Sequence, residues 1–310
     1  MPIKILHVGL GPIGIAIVRQ AARRSGLVLA GAVDSDPALV GRDLGEVVGL
    51  RRRLGIVVSD NLSGTLKAAR PDVAVLSTRS SLADVLPVFE TVLKAKVPIV
   101  STTEELAYPV KHSAALAKRL DALAKRARVA VLGTGVNPGF AMDALPIALT
   151  AVCADVTAIE VDRVQDARIR RVPFQRKIGA GLSAEEFAAR VKAGTVRHVG
   201  LAESITMIAD ALGWKLDRIT DEVSPKVTTE RVVGAELTVE PGGICGLVQD
   251  GAGYRKGRAL IRLHMEAYLG HPAGVDADRG RAARGHRDGR PRRQRPAEDP
   301  AGAAWTPHHA

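Results

Sequence analysis

The sequence predicts a two-part α/β chain. A doubly wound parallel sheet spans residues 1–138, and an α+β part with a largely antiparallel sheet spans residues 139–270. Three observations carry this. Up to about residue 135, short apolar and mostly β-branched runs alternate with amphipathic stretches of helix length, which is the pattern of βαβ units. Beyond residue 137 the apolar alternation has period two, as half-exposed strands require. After Leu269-Gly270 the apolar pattern stops, and Val275 and Trp305 are the only large apolar residues left.

Taken in order, strands are expected at residues 3–8, 28–33, 73–77, 97–101 and 129–133, buried on both faces. Helices are expected between them at 13–24, 62–69, 82–94 and 110–126. The last shows Leu116, Leu120 and Leu123 at helical spacing. An apolar helix follows at 139–151. Strands are then expected at 156–164, 232–239, 244–249 and 260–268. Turns are read at Pro241-Gly242-Gly243 and Gly251-Ala252-Gly253. Two helices interrupt, at 183–193 and 201–212, the first opened by the capping box Ser183-x-x-Glu186. No internal repeat is found.

Composition narrows the function. At 46% hydrophobic and 25% charged, the chain can bury two cores, and disorder throughout is excluded. No run of 18 apolar residues exists, so no membrane span is expected. Residues 1–9 form a short strand running into glycine, with no signal-peptide core. Cys153 and Cys245 make neither a disulfide framework nor a metal site. A cytoplasmic protein without a bound metal is expected. Net charge is +11, of which the first 270 residues carry +8. That suits a phosphate-bearing ligand. With aromatics at 3%, no stacking surface for nucleic acid is expected.

The most informative motif is Gly9-Leu10-Gly11-Pro12-Ile13-Gly14. It follows a predicted strand and opens a predicted helix, and the next strand ends at Asp34, 20 residues past Gly14. That is the Rossmann dinucleotide fingerprint in its required context. Gly9 permits the tight turn. Gly11 lets the backbone approach a pyrophosphate. Gly14 lets helix and strand pack, and the helix N-terminus offers N–H groups to phosphate. Asp34 can accept hydrogen bonds from a ribose and would favour NAD; Arg42 could pair with the 2′-phosphate of NADP. The cofactor is therefore read as NAD or NADP. Asp34 can equally be a cap for Asp36-Pro37.

In open α/β sheets, ligands lie at the carboxyl ends of the strands. Ser77-Thr78, Ser101-Thr102 and Asn137 stand there and could line the nicotinamide ribose or orient a carboxamide or amine. Glu104 and Glu105 are the only acids at those ends. A carboxylate there can take a proton from, or hold, an ammonium. Both also fit capping boxes, Ser101-x-x-Glu104 and Thr102-x-x-Glu105. In the second part, Phe140, Arg163, Gln175, His198 and His264 are candidates for contacting substrate.

The block Val136-Asn137-Pro138-Gly139-Phe140-Ala141-Met142-Asp143 resembles the junction of the 2,4-diaminopentanoate dehydrogenases. Native amine dehydrogenases belong with that family, and its cofactor domain is similar to that of dihydrodipicolinate reductases. Gly41-Arg42-Asp43-Leu44-Gly45, Ser101 to Leu106, Gln175 to Leu182 and His198-Val199-Gly200-Leu201-x-Glu203-Ser204 extend the resemblance, which runs from residue 3 to about 270. It implies NAD(P)-dependent oxidation of a primary amine carbon, or the reverse reductive amination of a ketone. It also implies that a glutamate of the pair is the acid–base or ammonia-binding group. That role is carried to Glu104 and Glu105, with Glu105 the first choice. A homodimer is expected. The alternative is a relative that binds dinucleotide without turnover.

Residues 271–310 read as a basic disordered tail. The abrupt shift to Arg, Gly, Pro, Ala and His is what GC-rich DNA yields out of frame. GC-rich codons from Gly285 onward, shifted by one base, can encode an amphipathic helix resembling the family's closing helix. A natural Pro/Gly-rich tail is the other reading.

Overall fold

The computed structural model describes residues 1–110, 113–168, 170, 172–234 and 237–270. The expectations for residues 271–310 lie outside the described residues. Met1–Gly270 hold together as one unit, in which two large sheets stand out.

The first sheet contains β1 (Ile3–Val8), β2 (Leu27–Val33), β3 (Val58–Ser59), β4 (Val73–Leu76), β5 (Ile99–Ser101) and β6 (Val131–Gly133). Its order is β3-β2-β1-β4-β5-β6 and every pairing is parallel. The topological switch therefore falls between β1 and β4, where such sheets bind ligands. Its helices are α1 (Pro12–Ala21), α2 (Leu44–Val47), α3 (Leu62–Ala69), α4 (Leu82–Lys94) and α5 (Ala114–Ala127). They cover both faces. Val33 joins Leu6, Leu76, Phe89 and Leu120 in one apolar cluster, while its neighbour Ala32 joins Val18, Leu44 and Val58 in the other. Alternate strand residues must face opposite sides. The short edge strand β3 carried no period signal and was not expected.

Next come α6 (Ala144–Thr150), β7 (Ile159–Asp166), α7 (Val172–Lys177), α8 (Ala184–Lys192), α9 (Leu201–Ala211), β8 (Arg218–Val227), β9 (Val232–Val233), β10 (Thr238–Val239), β11 (Ile244–Arg255) and β12 (Arg258–Tyr268). The second sheet has the order β7-β12-β11-β8, antiparallel except for the parallel pair β12–β7. Helix α8 opens with the expected capping box.

Two expectations need correction here. The strand read at 232–239 is a separate pair of short strands, β9 and β10. Gly251-Ala252-Gly253 is no turn; it lies inside β11. A Cβ on Gly251 would sit 3.0 Å from Ile205, and one on Gly253 would sit 2.7 Å from Leu216 and 2.9 Å from Ile205. These glycines let α9 lie close on the sheet, with Leu201, Ile205 and Ile208 fully buried against it. Strand β8 went unread because its face alternates weakly between partly buried and exposed residues.

Candidate active site

At the end of β1 the glycine loop is folded as the fingerprint requires, and each glycine has a different reason. Gly9 has φ +91°, and a Cβ there would come within 2.5 Å of the Ser77 carbonyl. At Gly14 a Cβ would sit 1.9 Å from the Gly9 carbonyl oxygen. Gly11 has an ordinary φ of −65° and nothing within 4 Å of where a Cβ would stand. Its missing side chain leaves space outside the protein. Pro12 starts α1 without needing an N–H, and no side chain caps that helix. Its first turn carries the exposed Ile13 and leaves its N–H groups without a side-chain cap.

The loop is held from below. His7 is fully buried, and its Nε2 lies 3.0 Å from both the Gly9 carbonyl and Ser77 Oγ. The Ser77 hydroxyl donates to the same carbonyl at 3.0 Å. This clamp spans the switch point between β1 and β4. Burial pushes the His7 pKa down to about 4, so the ring is neutral at ordinary pH. Its Nε2–H donates, and Nδ1 has no partner. Sequence reasoning missed His7; its inward position in β1 was the available signal. Ser77 thus supports the loop from a buried position, and the exposed Thr78 follows it.

Asp34, at the end of β2, accepts from two backbone N–H groups, the one at Asp36 as the capping reading expects. One oxygen accepts from the Leu10 N–H in the glycine loop, the other from the Asp36 N–H at 2.9 Å. Its carboxylate is thereby fixed beside the fingerprint. Arg42 is exposed on the following loop.

At the end of β5 neither expected capping box forms. Ser101 is fully buried, and its hydroxyl donates to Thr103 Oγ1 at 3.0 Å and accepts the Thr103 N–H at 3.2 Å. Thr102 beside it is half-buried. Glu105 instead accepts the Leu82 N–H at 2.7 Å, closing the first turn of α4. Glu104 is half-buried, and its carboxylate makes no hydrogen bond or ion pair among the described residues. Of the two carboxylates, it is the one without a hydrogen-bond partner among the described residues.

Beyond β6, Asp143 is the organiser. It is fully buried and accepts from the Gly139 N–H at 2.8 Å, the Ala144 N–H at 2.6 Å and Ser204 Oγ at 2.7 Å. Pro138, joined to Asn137 by a cis peptide, packs where a side chain on Gly200 would stand, 2.5 Å away. Two separate sequence blocks, 136–143 and 198–204, therefore meet at one junction. Phe140 is 56% exposed. Asn137 Nδ2 donates to Met142 Sδ at 3.2 Å and lies 3.9 Å from Met265 Sδ, while its Oδ1 is buried without a partner.

Arg163 stands in register with Met265 on the inner face of the second sheet. Its guanidinium donates to Gln165 Oε1 at 3.1 Å and approaches Met265 Sδ at 3.7 Å. His198 lies near it, held by Gln249, which bonds both its N–H (2.7 Å) and its carbonyl (2.9 Å). Burial, then Arg163, Lys177 and Arg197, push the His198 pKa down to about 3. The ring is neutral, with Nε2 unpartnered.

Two expected substrate contacts stand elsewhere. His264 pairs in register with Asp162 and Asp250, on the face opposite Met265 and Arg163, because consecutive strand residues alternate. There Asp250 (2.7 Å) and Glu266 (3.2 Å) push its pKa up to about 10. Gln175 is fully buried, with Nε2 bonded to the carbonyls of Ala167, Arg168 and Arg170 at 2.9 to 3.3 Å, so it shapes the loop before α7.

A fingerprint loop at the switch point of a 3-2-1-4-5-6 sheet, followed by a sheet-bearing part, defines an NAD(P)-dependent oxidoreductase. Comparison with known proteins sharpens that class. Residues 140–281 match the 2,4-diaminopentanoate dehydrogenase C-terminal domain, and residues 3–131 match the dihydrodipicolinate reductase N-terminus. A 2,4-diaminopentanoate dehydrogenase from Acetoanaerobium sticklandii is 32% identical over 263 residues, 84% of this chain and 74% of that one. The chain belongs to the 2,4-diaminopentanoate dehydrogenase family, as the sequence resemblance implied. An amine dehydrogenase from Streptomyces virginiae is 25% identical over 79% of this chain and 67% of its own length. The structure of the amine dehydrogenase from Mycobacterium smegmatis shares the fold, with a TM-score of 0.77 and 22% identity over 88% of this chain and 80% of that one.

Proposed function

We propose that this chain oxidises a primary amine carbon of a short amine or diamine to the imine, which water converts to a ketone and ammonium, or runs the reverse amination. The observation that carries this is the pairing of an open fingerprint loop after β1 with the Glu104 carboxylate, partner-free among the described residues, after β5 of the same sheet. Family membership supports it, since the relatives are named for diaminopentanoate and amine oxidation.

The groove fits a dinucleotide. Gly11 leaves room for a pyrophosphate, α1 offers uncapped N–H groups, and Asp34 is fixed where an adenine ribose would be read. Thr78, Thr102 and Asn137 would line the nicotinamide end. When bound, a nicotinamide accepts or returns the hydride of the amine carbon. Glu104 takes a proton from the ammonium, then returns it as ammonia leaves. Glu105 holds the strand end in place through Leu82 and shares the acid–base assignment until the two are separated by mutation.

The reading includes a cytoplasmic homodimer, a cofactor domain at 1–138, a substrate domain at 139–270, and a frame-shifted segment within 271–310. The described cysteines are unpaired, as reduced surroundings allow. Among the described residues no helix is long and apolar enough to cross a membrane. The test is NAD(P)H formation by purified protein with 2,4-diaminopentanoate and a series of short amines at alkaline pH, with NAD and NADP in parallel. Turnover with at least one amine is expected, with NAD preferred. Tight dinucleotide binding without turnover on any amine would favour the inactive relative instead. Asp34→Ala should weaken NAD more than NADP.

A further inference from the structure

We propose that His7 is a positioning residue for cofactor choice: through the Gly9–Leu10 peptide it fixes the Asp34 carboxylate that reads the adenine ribose, and so sets the preference for NAD over NADP. This rests on the reading of Asp34 as the ribose contact of a bound dinucleotide. The peptide between Gly9 and Leu10 is gripped at both ends. Its carbonyl takes the His7 Nε2–H at 3.0 Å and the Ser77 hydroxyl at 3.0 Å. Its N–H donates to Asp34 Oδ2. A trans peptide unit is planar, so its C=O and N–H point in opposite directions and turn together. With the carbonyl held inward, the N–H is aimed at Asp34. The three side chains come from β1 and from the ends of β4 and β2, so one peptide plane joins three neighbouring strands at the switch point. Gly9, at φ +91°, puts no Cβ in the way of rotation, so the side chains supply the hold.

The ring is at this place for its donor. His7 is fully buried in register with Ala32 and Val75, and its Nδ1 has no partner. A buried unpaired polar atom is costly, and a leucine of similar volume would avoid that cost. What the ring adds is the Nε2–H. The Asp34 charge raises the His7 pKa against burial, so ring and carboxylate stand within electrostatic reach of each other. Removing the ring changes the aim of the peptide rather than the path of the loop, because the Gly9 N–H still donates to the Val33 carbonyl and the Ser77 N–H to the Val8 carbonyl, both at 2.9 Å. Asp34 would keep only its local bond from the Asp36 N–H. A fixed carboxylate accepts from a ribose hydroxyl and repels a 2′-phosphate. A loosened one does both less well, so NADH weakens while NADPH loses little.

The experiment measures NADH and NADPH affinity by fluorescence titration for wild type, His7→Leu, His7→Gln and Ser77→Ala, each also in the Asp34→Ala background, with urea unfolding of every variant. No amine enters the assay, so the outcome does not depend on turnover. His7→Leu should weaken NADH about 10-fold and NADPH less than about threefold, the size of one net hydrogen bond lost on one cofactor. His7→Gln, whose amide Nε2–H can reach the same carbonyl, should restore the preference. Ser77→Ala leaves the ring in place and should shift the preference the same way by about threefold. With Asp34→Ala present, His7→Leu should change NADH affinity by less than about twofold. A lower urea midpoint with the NADH-to-NADPH preference unchanged marks a merely structural ring and overturns the inference. So does an equal loss on both dinucleotides, or a loss that persists in full without Asp34. If His7→Leu does not fold, Ser77→Ala decides, and wild-type preference there overturns the inference. If Asp34→Ala alone leaves the preference unchanged, the ribose reading falls and takes the inference with it. If Asp34→Ala shifts the preference and His7→Leu does not, the reading stands and the inference falls.

Discussion

Replacing Gly11 and Gly14 by alanine, one at a time, separates cofactor recognition from folding within a single loop. At Gly11 the backbone is extended with φ −65°, which alanine adopts freely, and the added methyl meets nothing within 4 Å. The fold should gain about 0.4–1 kcal/mol, because alanine restricts the unfolded chain. The methyl does occupy the space a pyrophosphate needs, so dinucleotide affinity should fall about 10²-fold, near 2.7 kcal/mol. At Gly14 the methyl would sit 1.9 Å from the Gly9 carbonyl oxygen and 2.8 Å from Ser77 Oγ. The clamp made by His7 and Ser77 must give way, at about 1–3 kcal/mol or more for overpacking. NADH fluorescence titration reads the first effect, and urea unfolding reads both. Unchanged NADH affinity in Gly11→Ala, or wild-type stability in Gly14→Ala, would refute this division of roles.

Three further outcomes are expected. Glu104→Gln should cut turnover about 10²-fold with dinucleotide affinity and urea midpoint unchanged, whereas Glu105→Ala should cost about 1 kcal/mol of stability as a lost helix cap; if neither slows an active enzyme, the proton is handled elsewhere. The pairing of His264 with Asp250 and Glu266 raises its folded pKa from 6.5 to about 10, so its stabilisation is complete below pH 6.5 and disappears as pH rises through 10. Because Asp250 is 61% exposed, screening reduces that contribution to about 1 kcal/mol, and the decline in urea midpoint above neutral pH should be smaller in His264→Asn. Asp143→Ala strands two N–H groups and one hydroxyl at a fully buried site, and should destabilise by about 3 kcal/mol or more in denaturant titration.

The first sheet was legible because its signal is local. Strand, glycine loop and helix follow one another within 21 residues, and β1, α3 and α4 begin and end as read, or within a residue of it. The second sheet was legible in kind but not in detail. Gly251 and Gly253 carry a turn composition, yet their role is set by Leu201 and Ile205 on a helix far away in sequence. The same holds at the site. Which of two adjacent glutamates stays free depends on Leu82 of another segment, and which face His264 takes depends on the register with β7. Such facts are long-range, and no spacing rule contains them.

The Asp143 junction has a consequence for how the effect of a substitution spreads in this scaffold. That carboxylate ties the loop after β6 to α9, and α9 is seated on β11 through the two glycines. Loop, helix and central strand therefore form one chain of mutual support, and altering any link disturbs the others. Arg163 stands on the sheet's edge strand β7, and among the described residues its guanidinium meets Gln165 and the Met265 sulfur that Asn137 of that loop also approaches. A substitution on β7 is therefore felt through that sulfur at the loop where the two sequence blocks meet.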